Sequence, residues 1–230
     1  MSKRDFIADL KDYAKRPSLA AGNTGDDWAR LREVVRLHKA METLNPDSLP
    51  RKELAKHVVV TLAAMYQAAV RRILTEAIDS KDKRGERIPE LANLNISLTT
   101  ELARELRDQS FSVGKFVARF LKTGSVDRIS DSLKEVCGKS LAGVLRAGLI
   151  ALGPTEGAPP DVEKRLSQCL RRLETLFSLR RVLCSEEALE LKVEPAAVDA
   201  YVEDAVSLIP ALTHYRYQEL YAPRTAAAAE

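Results

Sequence analysis

The chain has 230 residues, of which 45% are hydrophobic and 30% charged, and its formal net charge is +3 at pH 7. This length is sufficient to bury a core, and the apolar fraction excludes an intrinsically disordered chain. The net charge is too small to argue for nucleic-acid binding by itself, so any basic surface must be local.

The first strong helical pattern lies between residues 26 and 44. Apolar side chains recur there at spacings of three and four, which predicts a helix with one buried face and with Asp26 as its N-cap. After the NPDSLP turn, residues 51–78 carry a wider apolar stripe, which more than one neighbour must cover. This segment is therefore predicted to be the central helix of a bundle.

The middle of the chain is divided into shorter segments. Gly85 and Pro89 interrupt the pattern, after which Ser97 and Glu101 are spaced as a helix cap and its acidic follower. Three further segments, 112–122, 125–141 and 142–152, are separated by Gly and Ser and predict short helices. None of them alternates with a period of two, so no sheet is expected.

The last third of the chain predicts two long helices. GPTEGAPP is interpreted as a loop within one domain, and residues 161–183 after it have the pattern of a long amphipathic helix. The final helix begins at Pro195, where a first-turn proline is favourable, and contains Pro210, which is expected to bend or interrupt it. The sum is an all-α, single-domain helical bundle over residues 26–222, with an N-terminal extension (1–25) and a disordered tail (223–230).

Cysteine usage and hydropathy predict a cytoplasmic protein. Cys137, Cys169 and Cys184 are far apart and show no C-x-x-C spacing, which is typical of a reducing compartment. The first residues, MSKRDFIADLKDYAKR, lack the apolar core of a signal peptide. No segment approaches about 18 uncharged apolar residues, so no contact with a membrane is expected.

Standard enzyme motifs are absent from the sequence. There is no phosphate-binding Gly-rich loop, no H-E-x-x-H, no G-x-S-x-G and no paired cysteine ligands. His38, His57 and His214 fall on three different predicted helices beside apolar residues, as half-buried histidines on helix faces do. We therefore predict no metal site and no cofactor.

Arginine pairs are the most informative polar feature. They flank the apolar stripes of the two predicted helices with the widest apolar faces, where guanidinium groups can bind phosphates or the carboxylates of a partner. The alternative is that their aliphatic stems cover the apolar stripe while the charges stay in water. The candidate binding residues are Arg71, Arg72, Arg171, Arg172, Arg180 and Arg181.

The order of helices resembles the HEPN superfamily, a group of helical bundles that includes RNA-cutting toxins and anti-phage proteins. The resemblance rests on the segments DFIADLKDY, HVVVTLAAMYQAAVRRILTEAI, LFSLRRVLCSEE and AAVDAYVEDAVSLIPAL, and covers most of the chain as a pattern of helices. It implies that the turn after the late helix is the functional site. Active members carry there an arginine, a polar residue and, four to six residues after the arginine, a histidine, and two such motifs meet across a dimer.

The corresponding residues here depart from that pattern. The arginine is Arg180, Arg181 replaces the polar follower, and Ser185 stands where the histidine is expected. RNA cleavage without a metal needs a group that exchanges a proton near neutral pH, which a serine hydroxyl cannot do unaided. A further departure is Gln67 in the central helix, where relatives often have an acidic residue.

Three functions therefore compete. The first is a non-catalytic, HEPN-like protein that acts by binding, as a homodimer or as a subunit or regulator in a bacterial anti-phage defence or toxin–antitoxin assembly. The second is an active, metal-independent endoribonuclease whose base comes from elsewhere, His38 or His57. The third is a helical adaptor that binds RNA or DNA through the arginine pairs, with an affinity that falls steeply with salt.

Overall fold

The structure of the chain is a computed structural model that describes residues 27–83, 112–152, 162–185 and 191–218. These residues form helices and short connections, with no strand among them, which confirms the predicted all-α bundle. The helices of the described residues are α1 (Asp27–Glu42), α2 (Leu49–Lys83), α3 (Val113–Ala118), α4 (Val126–Cys137), α5 (Leu141–Leu152), α6 (Val162–Leu183) and α7 (Pro195–Arg216).

The central position of α2 follows from its apolar residues. Its 35 residues place apolar side chains on several faces, and Val58, Leu62, Ile73 and Ile78 have no exposed surface at all. Helices α1, α3, α4, α6 and α7 all pack against it. The described helices therefore share one hydrophobic core with α2 at its centre, as the wide apolar stripe predicts.

Local capping residues fix where the shorter helices begin and end. The hydroxyl of Ser112 accepts a hydrogen bond from the Lys115 amide at the start of α3, and that of Ser125 accepts from the Arg128 amide at the start of α4. Helix α4 ends at Gly138, whose φ of 72° is left-handed and favours glycine. These turns set the path of the chain between α3 and α5.

Pro210 is expected from the sequence to bend or interrupt the final helix; the helix is continuous through it, so the predicted interruption is wrong. Helix α7 runs from Pro195 to Arg216, and Pro210 is buried within it. Burial against α2 and α5 outweighs the loss of one amide donor. Next to the proline, a Cβ placed on Gly148 of α5 would lie 2.1 Å from the Ala211 carbonyl oxygen, so α5 and α7 approach closely there.

Several predictions concern residues outside the described ranges. These are the N-terminal extension 1–25, the tail 223–230, the capping positions Asp26, Ser97 and Glu101, and the loop GPTEGAPP.

One segment of α2, Leu49–Ser80, is long and apolar enough to cross a membrane by length and composition. Of its most apolar 18-residue window, 56% is buried inside the folded chain. The core helix of a helical bundle has the same two properties.

Candidate binding site

Arg180, in the last turn of α6, is held on the central helix. Its Nη1 donates a hydrogen bond to Oε1 of Gln67, and Nε2 of the same amide donates to the Thr123 carbonyl oxygen at 2.8 Å. An amide side chain can both accept from the arginine and donate to the carbonyl, whereas an ionised carboxylate has no proton to give. The double contact explains why glutamine is suited to this position.

The residues that follow Arg180 end the helix. The amide of Cys184 donates to the Arg180 carbonyl at 2.9 Å, and the Ser185 hydroxyl donates to the Val182 carbonyl oxygen at 2.6 Å. Arg181, Cys184 and Ser185 are exposed. The turn therefore presents a positive charge to solvent, while the hydroxyl of its serine is bonded to the backbone.

Arg172 is partly exposed, and its guanidinium is bonded within the chain. Its Nε lies 2.6 Å from Oδ2 of Asp204, and its Nη2 lies 2.7 Å from Oδ1. Asp204 is a buried residue of α7, and the Sγ of Cys169 lies 3.1 Å from its Oδ1. The predicted binding residue Arg172 thus clamps α6 to α7.

The groups around this clamp are held in their neutral forms. Burial, and secondarily the charge of Asp204, raises the pKa of the Tyr66 hydroxyl well above its ordinary value. Burial, followed by the hydrogen bond to Asp204, raises the pKa of the Cys169 thiol to about 11. The space between Tyr66, Cys169, Tyr201 and Asp204 is too small to admit a water molecule, so the clamp is a closed packing feature.

The other candidate arginines lie in different environments. Arg71 and Arg171 are exposed, and Arg72 is half-buried. Arg71 follows Gln67 by four residues and so lies one turn further along the same face of α2. Both Arg71 and Arg72 also make contacts within the chain. Arg180 is therefore held by a neutral amide beside the exposed Arg181, whereas Arg172, beside the exposed Arg171, is bonded to the buried Asp204 carboxylate.

The histidines are placed apart from this turn. The Nε2 of His38 lies 2.7 Å from Oδ1 of Asp199, which joins α1 to the first turns of α7. His57 is exposed on α2, and His214 is half-buried on α7. Ten helical residues separate His57 from Gln67, or about 15 Å along the axis. In this conformation the Arg180 guanidinium therefore contacts Gln67 well away from the His57 ring.

Sequence reasoning missed Asp199 and Asp204. Asp204 carried a usable signal, because it falls three residues after the buried Tyr201 and four before the buried Leu208. A carboxylate within an apolar face requires a partner. Asp199 is exposed and carried no comparable signal.

No protein-family model, no curated protein and no solved structure matches this chain.

Proposed function

We propose that this protein is a non-catalytic, HEPN-like helical protein that acts by binding through the end of α6. The observation that carries the proposal is the placement of Arg180 on Gln67 of the central helix, beside the exposed Arg181. A guanidinium held in place by a neutral amide keeps its charge and loses little side-chain freedom when it binds an anion. This arrangement favours recognition of a carboxylate or phosphate.

We assign the protein as non-catalytic because of Ser185. Its hydroxyl donates to the Val182 carbonyl. A serine hydroxyl is a poor base at neutral pH unless a neighbouring base assists it. A guanidinium that stays protonated cannot accept a proton either. Neither group at this turn therefore supplies the proton exchange that cleavage through a 2′-hydroxyl requires.

The biological role that fits such a protein is that of a subunit or regulator in a bacterial anti-phage defence or toxin–antitoxin assembly, as a homodimer or with a second protein. Genes adjacent to this one that encode an ATPase, a nuclease or a nucleotidyltransferase would identify the second protein. Co-expression with each neighbour, followed by co-purification, then tests the hetero-assembly directly.

The proposal is tested first by an RNA-cleavage assay. Purified protein is incubated with a generic single-stranded RNA in the presence of a chelator, alongside His38→Ala, His57→Ala and Ser185→Ala variants. We expect no cleavage above a buffer control. Cleavage by the wild type that His57→Ala or Ser185→Ala abolishes would overturn the non-catalytic assignment in favour of the ribonuclease.

Nucleic-acid binding is the second candidate, favoured by the exposure of Arg171 and Arg181. Binding of a labelled RNA or DNA is measured at two or more salt concentrations. An affinity that falls steeply, as a power of the salt concentration, marks contacts to phosphates, whereas association through an apolar protein interface depends on salt only weakly.

A further inference from the structure

A cluster of three side chains lies where α1 meets α7. His38 and Glu42 are four residues apart on α1, so they project from the same face. Asp199 of α7 completes the cluster, with its Oδ1 2.7 Å from the His38 Nε2. One donor atom from each of the three residues lies within 4.8 Å of the other two.

Within the part of the chain that the structure describes, no basic side chain other than His38 balances the carboxylates of this cluster. At neutral pH two carboxylates face one imidazole, which carries at most a single positive charge. Among the described residues, no lysine or arginine forms an ion pair with Glu42 or Asp199. A simple His38–Asp199 pair would leave the Glu42 carboxylate with no role in the arrangement.

We infer that His38, Glu42 and Asp199 bind a divalent first-row transition-metal ion, of which Zn²⁺ is the representative probe. Zinc takes imidazole nitrogen and carboxylate oxygen at about 2.0–2.2 Å, which separates tetrahedral donors by about 3.4 Å. The His38 and Asp199 donors lie 2.7 Å apart and every pair of donors lies within 4.8 Å, which is close to the spacing that such an ion needs. The imidazole ligand favours such a metal over Mg²⁺, which prefers oxygen donors in an octahedron.

The three side chains differ in exposure in a way that suits a metal site open to solvent on one side. The His38 side chain is 13% exposed, whereas that of Asp199 is 55% exposed and Glu42 lies at the surface. The imidazole is thus held by packing while the carboxylates face solvent, which gives the metal an entry path. Three protein ligands leave the fourth tetrahedral position for water. A bound ion would also join α1 to α7 and stabilise the folded chain.

The test compares metal binding by the full chain and by single variants, after treatment with a chelator and buffer exchange. Isothermal titration with ZnCl₂ is expected to give one saturable site. Glu42→Gln is the decisive variant, because it leaves the contact between His38 and Asp199 intact. We expect each of Glu42→Gln, Asp199→Asn and His38→Gln to weaken Zn²⁺ binding by at least about tenfold.

Two matched controls separate this site from other sources of binding. Glu203→Gln removes an exposed carboxylate one turn further along α7, and Cys184→Ser removes an exposed thiol. Both are expected to bind Zn²⁺ as the wild type does. Circular dichroism of every variant confirms that it is folded, and the absorption spectrum with Co²⁺ should lack the near-ultraviolet band of thiolate ligation.

The inference is overturned if the wild type shows no saturable Zn²⁺ site. It is equally overturned if Glu42→Gln and Asp199→Asn bind as tightly as the wild type, or if Cys184→Ser alone abolishes binding. These outcomes are independent of the proposed function, because none of the three residues lies at the turn that carries Arg180.

Discussion

Arg172 of α6 forks onto Asp204 of α7, with both carboxylate oxygens engaged at 2.6 and 2.7 Å. The carboxylate is buried, while the arginine side chain keeps 38% of its surface exposed. Asp204 also accepts from the Cys169 thiol, so one side chain joins two positions of α6. This contact fixes the register between the helix that carries the candidate binding turn and the C-terminal helix.

Removing the charge of Asp204 should destabilise the fold. In Asp204→Asn the amide cannot accept both arginine bonds and the thiol bond, so a buried donor loses its partner. Because Arg172 is partly exposed to solvent, we expect a loss of about 1–3 kcal/mol in the free energy of unfolding, less than for a fully buried pair. Urea denaturation measures it.

The control for this change is Glu203→Gln, which neutralises the exposed carboxylate immediately before Asp204. It should alter the free energy of unfolding by no more than about 0.5 kcal/mol. Equal stability of Asp204→Asn and Glu203→Gln would show that the fork contributes nothing to the fold.

Cys169 should be much less reactive than Cys184 at mildly alkaline pH. With the pKa of the Cys169 thiol raised to about 11, only about one molecule in a thousand carries the thiolate at pH 8. Cys169 is also buried, whereas Cys184 is exposed. Alkylation followed by peptide mass spectrometry should find Cys184 modified first.

The raised pKa of Cys169 predicts that the free energy of unfolding falls as the pH becomes alkaline. The folded chain keeps a proton on Cys169 that the unfolded chain begins to lose near the ordinary thiol value of 9.0, so this contribution is lost as the pH rises through about 11. Cys169→Ala should lack this component of the pH dependence. Equal alkylation rates of Cys169 and Cys184 at pH 8 would contradict the raised pKa.

The helices could be predicted from the sequence because their determinants are local. The apolar period of residues 51–78 predicted the central helix, and the segment predicted at 125–141 contains α4, although α4 ends at Gly138 and Leu141 already belongs to α5. The contacts between side chains of different helices could not be predicted in the same way. Arg172 and Asp204 are 32 positions apart, and His38 and Asp199 are 161 apart, so only the packing of whole helices brings them together.

The contacts within the candidate binding site could not be predicted from the sequence either. The sequence identified Arg180 as the arginine that fits the HEPN pattern and Gln67, 113 positions away, as a departure from it, but gave no indication that they bond to each other. It also grouped Arg171 with Arg172, although one is exposed and the other is clamped to Asp204. Adjacent residues on a helix point about 100° apart, so a pair in sequence is not a pair in space.

Gly148 should not tolerate a side chain. An alanine Cβ there would lie 2.1 Å from the Ala211 carbonyl oxygen, and backbone cannot move aside as a flexible side chain can. Gly148→Ala should therefore force α5 away from α7 and cost about 1–3 kcal/mol of stability. Thermal unfolding of Gly148→Ala and of the wild type measures this loss.

Gly143→Ala, on the same helix, is the matched control with the opposite expected sign. A Cβ at that position would meet its nearest atom, Oγ of Ser140, at 3.6 Å, which is an ordinary contact. Alanine favours a helix over glycine by up to about 1 kcal/mol, so this variant should be as stable as the wild type or more so. If both variants unfold alike, the close approach of α5 and α7 is wrong.

Arg180 and Arg181 should matter for binding, whereas Ser185 should not. Replacing both arginines by alanine removes two positive charges from the turn and should weaken self-association, or association with a co-expressed neighbour, by about 2–3 kcal/mol if they form charge-assisted bonds. Ser185→Ala removes a hydroxyl that donates to the Val182 carbonyl at its own helix end and should leave the affinity unchanged. Sedimentation velocity at several protein concentrations measures self-association.

The control for charge is the double variant Arg128→Ala, Lys134→Ala, which removes two exposed positive charges from α4. A second variant, Gln67→Leu, leaves both arginines in place but removes the amide that holds Arg180. If placement of the guanidinium matters as well as its charge, Gln67→Leu should weaken the complex while the α4 variant does not. Wild-type affinity in the Arg180→Ala, Arg181→Ala variant would exclude this turn from the binding surface, since no residual charge would remain there to account for the complex.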